Sequence, residues 1–152
     1  MHMMTLAEIK AKVDELAGKI DASSNILPTY GHSEDAARPH IEVDSRGYHY
    51  VVVERGEELK RITTINLDDL LYHIFEAVTF SLASDYEVTH RIPGQDFRRL
   101  LFKHQVELLS LLSTQWAERA SARHERLLRT SVDMSSDSSH SESGKNSEVI
   151  LL

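Results

Sequence analysis

The chain has 152 residues, a net charge of −7, 41% hydrophobic residues and no cysteine. That length suits one domain with a real core, and the lack of Cys excludes disulfides and thiolate metal sites. No secretory leader and no apolar run near the roughly 20 residues of a membrane span is visible, so the sequence reads as a cytoplasmic, soluble protein.

Thr5 and Glu8 form a T-x-x-E capping box, and Leu6, Ile9, Val13, Leu16 and Ile20 recur at helical spacing. The pattern predicts a one-sided helix over residues 6–22. Residues 23–39 hold Pro28, Gly31 and Pro39 and read as a long irregular arm. Loops of that length are often functional.

Three strands are expected next, over residues 40–44, 48–54 and 59–64. Asp44-Ser45-Arg46-Gly47 and Glu54-Arg55-Gly56-Glu57 each place Gly where a tight hairpin needs positive φ, so the strands form an antiparallel meander. Tyr48, Tyr50 and Val52 point to one face and His49, Val51 and Val53 to the other. One face should pack on helices and the other be semi-polar and aromatic.

Leu67, Leu70, Leu71, Ile74, Phe75, Val78 and Leu82 predict a central helix over 67–82, with Asn66 as N-cap. Pro93-Gly94 breaks the chain. A further helix is expected over 95–112, and a last one from Ser113 or Thr114 to about residue 129. The fold class is α+β: an N-terminal helix, a three-stranded antiparallel meander, then three helices packed on the sheet. Residues 1–130 form the domain; residues 131–152, Ser-rich and acidic, read as a disordered tail.

Charge is unevenly spread. Residues 1–88 carry 16 acids and 8 bases, whereas residues 89–130 carry 8 bases and 4 acids. An acidic front half repels nucleic acid and favours basic partners. The order helix, three strands, helix is that of a double-stranded RNA-binding domain, but Asn66-Leu67-Asp68-Asp69 puts acids where phosphate-binding cations are needed. Arg98 and Arg99 are expected to pair with Asp96 and with acids of the sheet.

None of the nine histidines has H-x-x-x-H or H-E-x-x-H spacing. His40 and His49 could meet across neighbouring strands with Glu42 as a third ligand, yet a half-buried sheet commonly carries such residues as plain polar groups. His104, on an apolar helix face, reads as a hydrogen-bonded boundary residue. No nucleophile elbow, Walker loop or dinucleotide fingerprint occurs, and adjacent acids in a strand point to opposite faces. No catalytic residue, cofactor or metal is assigned. Protein binding fits best. Tyr30, Tyr48, Tyr50 and Trp116 are types enriched at interface hot spots. Glu34, Asp35, Glu42, Asp44, Glu57 and Glu58 would steer a basic partner. Tyr30, Tyr48 and these six acids are the candidate contact residues.

Three segments carry a family resemblance: G-H-S-E-D-A-A-R-P-H-I-E-V-D (31–44), Y-H-Y-V-V-V-E-R-G (48–56) and H-R-I-P-G-Q-D-F-R-R-L-L-F (90–102). Over residues 26–128 the chain resembles the immunity protein 63 family of bacterial polymorphic-toxin systems. The resemblance implies an antidote that binds a cognate toxin domain and blocks its active site or docking surface. The alternative is a non-enzymatic adaptor or regulatory module for another protein.

Overall fold

Thr5 starts the first helix. Its hydroxyl accepts from the Glu8 amide, and the Glu8 carboxylate accepts from the Thr5 amide. This computed structural model describes residues 3–137, with side chains through Thr130. Helix α1 spans Leu6–Lys19 and buries Ile9, Val13 and Leu16. It stops short of the expected residue 22 because Asp21 adopts φ 54°, which a helix cannot continue through.

A single 3₁₀ turn, Ser24–Ile26, leads into β1 (Thr29–Tyr30). Strands β2 (His40–Asp44), β3 (Gly47–Glu54) and β4 (Glu57–Thr64) follow. The sheet order is β1-β2-β3-β4, with β1 parallel to β2 and the other pairs antiparallel. The three-stranded antiparallel meander expected from sequence is therefore corrected to a four-stranded mixed sheet. The added strand has two residues, too few for any period. It is held by Thr29 N–H to Pro39 O at 3.0 Å and Gly31 N–H to Ile41 O at 2.8 Å.

Helix α2 (Leu67–Thr89) runs seven residues beyond the expected end. Its distal half lacks the leucine stripe. Instead Ala83 lets α3 (Phe97–Ser110) approach, and Leu101 and Phe102 pack there as a small second core. Helix α4 spans Thr114–Asp137. The segment expected to be a tail lies outside the described side chains, and residues 138–152 lie outside the described residues altogether. No helix among the described residues is long and apolar enough to cross a membrane.

The main core lies between the sheet and the helices. Ile41, Tyr48 and Tyr50 pack there with Ile9, Leu70, Ile74, Phe75 and Trp116. Tyr48 is 3% exposed and its hydroxyl accepts from Met4 N–H at 2.8 Å. Tyrosines therefore belong to the helix-covered face. The opposite face carries imidazoles and charges, not aromatic hydrocarbons.

Candidate functional site

The outer face of the sheet is built by register. His40 stands opposite Val51, which stands opposite Arg61; Glu42 stands opposite His49, which stands opposite Thr63. Alternation puts all six side chains on one side. His40 Nε2 lies 2.7 Å from Glu42 Oε2, and Arg61 Nη1 donates to Glu42 Oε1 at 3.1 Å. The same guanidinium holds Glu58 through Nη2 at 2.8 Å. Arg61 on β4 thus reaches over β3 to Glu42 on β2.

His49 Nδ1 lies 2.8 Å from Thr63 Oγ1, and its Nε2 lies 2.8 Å from Asp44 Oδ1. Carboxylate, imidazole and hydroxyl in a row suggest a hydrolytic relay. Here, however, Nδ1 meets the hydroxyl and Nε2 the carboxylate, the reverse of a Ser-His-Asp triad. The arrangement ties β2, β3 and β4 together. It also sets the acids' titration. Hydrogen bonding to His40 and then Arg61 holds Glu42 below the usual carboxylate range despite its partial burial. His49 chiefly does the same for Asp44, and Arg61 for Glu58.

These contacts bear on metal binding. His40 spends Nε2 on Glu42, and His49 spends both ring nitrogens. His40 Nδ1 is buried without a partner. Among the described residues no group of three or more His, Asp or Glu side chains is placed to hold a metal ion.

A second cluster forms where the arm meets the β3–β4 hairpin. Ala36 bridges to Glu54, Ala37 N–H donates to Val53 O at 3.0 Å, and Gly56 N–H donates to Asp35 Oδ1 at 2.7 Å. Arg38 pins the arm from its other side, donating to Leu27 O, Ser24 O and Glu34 Oε1, each at 2.9 Å. The arm expected to be irregular is thus folded onto the sheet. Asp35 and Ala37 adopt φ 55° and 62°, unusual for non-glycine residues.

Across the hairpin Glu54 faces Glu57. Like charges directly opposite are destabilising, and neither has an ion pair among the described residues. Glu54 was not among the sequence-derived candidates. Its signal was the E-R-G-E turn itself, which makes the two acids cross-strand neighbours.

The candidate residues therefore divide. Asp35 and Glu57 come together at the hairpin tip, joined by Glu54. Glu42, Asp44 and Glu58 lie in the outer-face network, already paired with His40, His49 and Arg61. Glu34 sits apart on Arg38. Tyr48 is withdrawn as a contact residue, because it is sealed beneath the helices. Tyr50 and Trp116, at 4% and 5% exposure, are core residues too. Tyr30 is half-buried beside a cavity of about 400 Å³ that Leu27, Pro28 and Arg38 help to line. Its hydroxyl is closed off without a partner, and burial, with Asp14 nearby, pushes its pKa up to about 12. Arg98 does pair with Asp96, at 2.7 Å. His104, half-buried, is stacked on Tyr86, ring centres 3.8 Å apart, with Glu107 Oε2 at 3.7 Å.

No curated protein and no solved structure matches the chain. The sequence model of immunity protein 63 matches residues 44–126. That span runs from the end of β2 through β3, β4, α2 and α3 into α4. It includes Asp44, Glu57 and Glu58 and leaves out the arm and most of β2. Covering more than half of the chain, the match shows that this protein belongs to the immunity protein 63 family.

Proposed function

We propose that this chain is a toxin-neutralising immunity protein. It binds a cognate polymorphic-toxin domain in the cytoplasm and blocks that domain's active site or docking surface, with no chemistry of its own. The observation that carries this reading is the family match across residues 44–126. Physical support comes from the hairpin tip. Asp35, Glu54 and Glu57 gather there with less internal compensation than the acids of the outer face. A basic surface on the partner would relieve the Glu54–Glu57 repulsion on binding, and opposite fields speed the encounter. Many toxins that act on nucleic acid have cationic substrate clefts, and three carboxylates at a projecting turn can occupy one in place of phosphates.

Co-expression with the C-terminal domain of a neighbouring large toxin gene tests this. Survival with a co-purifying complex is the expected result, and Glu54→Lys with Glu57→Lys should remove both. Survival without any complex would show enzymatic reversal of the damage instead. No survival against a demonstrably lethal domain would favour an adaptor role.

A further inference from the structure

On a chain of net charge −7, one cavity gathers positive charge. Arg119, Arg123 and Arg126 fall at i, i+4 and i+7, on one side of α4. They line a cavity of about 250 Å³ with Lys60 of β4 and with Tyr72 and Glu76 of α2. Arg119 Nη1 lies 2.6 Å from Asp69 Oδ1, and its guanidinium stands 4.0 Å above the Tyr72 ring. Arg123 Nη1 lies 3.5 Å from Glu76 Oε2, which also accepts from the Tyr72 hydroxyl at 2.8 Å. Lys60 and Arg126 have no ion pair among the described residues. Four cations thus face two carboxylates, and a surplus of two positive charges is left at a part-enclosed site where the cations repel one another.

We propose that this cavity binds a phosphate monoester. A phosphoryl group carries close to two negative charges at neutral pH, which matches the surplus, whereas one carboxylate would leave half of it. Guanidinium forks and a lysine ammonium suit its three oxygens. An adjoining cleft of about 370 Å³ shares Lys60, Glu76 and Arg123 and continues over Pro39, Val52, Leu59 and Phe80. Leu59 is 56% exposed at that rim. The organic body of the ligand lies there, against hydrocarbon, while the phosphoryl group sits among the arginines.

His73 supplies a reporter. It lines the same cavity and its pKa is lowered, chiefly by burial. A dianion bound beside it would favour the imidazolium and raise that pKa.

The test is NMR titration of the full chain with inorganic phosphate, phenyl phosphate and malonate at constant ionic strength. Saturable shifts at Lys60, His73 and Arg126 are expected, with a rise in the His73 pKa. Phenyl phosphate should bind about tenfold tighter than inorganic phosphate, because only it fills the apolar cleft. Both residues are exposed and without an ion pair, and Lys60 has only a 5.8 Å contact with the Tyr50 ring besides, which allows a variant that still folds: Lys60→Ala with Arg126→Ala should keep its Tm and lose about tenfold in affinity. The proposal is overturned by equal shifts with sodium chloride, by unchanged affinity in the double variant, or by malonate binding tighter than phenyl phosphate.

Discussion

His124 Nε2 donates to Gln105 Oε1 at 2.9 Å, joining α4 to α3 inside the protein. The direction of that bond is fixed from the other side of the amide. Gln105 Nε2 donates to Glu76 O at 2.9 Å and to Thr79 Oγ1 at 3.3 Å, so its oxygen must be the acceptor facing His124. The imidazole also lies flat on Phe102, with ring centres 3.9 Å apart. Three helices thus meet around one neutral histidine.

Acid should loosen this junction. Burial, with Arg123 nearby, lowers the His124 pKa from 6.5 to about 4. The unfolded chain therefore binds a proton that the folded one refuses. This histidine's contribution is fully present above pH 6.5 and is lost as pH falls towards 4, about 3 kcal/mol at most. Urea titrations at pH 7 and pH 4.5 should show the loss, and His124→Leu should flatten that part of the pH dependence. His73, lowered in the same direction by burial, adds to the loss in the native chain.

Two glycine substitutions should have opposite signs. Gly47 adopts φ 135°, and a Cβ there would lie 2.6 Å from the Thr64 carbonyl oxygen, a backbone atom. Gly47→Ala should cost about 2 kcal/mol or more. Gly18 lies in α1 with nothing within 4 Å of an added Cβ. Gly18→Ala should raise stability by about 0.5 kcal/mol. Chemical denaturation of both variants checks the pair.

Phe75 stacks on Trp116 at 6.0 Å in the centre of the core, where Phe75 is fully buried. Phe75→Ala should destabilise by about 3–5 kcal/mol through lost burial and the cavity left behind. Trp116 is the only tryptophan, so its fluorescence reads the transition directly.

Charge reversal at the hairpin should separate stability from binding. Glu57→Lys turns a repulsive cross-strand pair with Glu54 into an attractive one and should stabilise by about 0.5 kcal/mol. The same variant should bind a basic toxin domain more slowly, with a weaker salt dependence of the association rate. Stopped-flow association at two salt concentrations checks this. An unchanged rate would remove the tip from the interface.

Much of the fold was legible because its signals are local. The T-x-x-E box announced the start of α1, and the leucine stripe from Leu67 announced α2. The Gly47 and Gly56 turns announced both hairpins. Strand β1 was not legible, since two residues after a proline have no period. The end of α2 was missed because the leucine stripe stops at Leu82, and the residues beyond it pack on Leu101 and Phe102 of α3 through Ala83 instead. The acids at 34, 35, 42, 44, 57 and 58 were all visible. Which of them are compensated was not, because Arg61, Arg38, His40 and His49 reach them across strands or along the arm.

By itself, then, the sequence determined the α+β class, the antiparallel pairing of β2, β3 and β4, the core stripe of α2 and the family. The first three rest on residues a few positions apart, where hydrogen-bond geometry and burial period act directly; the family rests on the resemblance of whole segments. Only the tertiary structure decided that Tyr48 is core and that Asp35 reaches the Glu54–Glu57 hairpin. It alone placed Lys60 beside Arg123 and set His124 on Gln105. Those relationships join residues that lie far apart in the chain or in different elements, and packing alone brings them within reach.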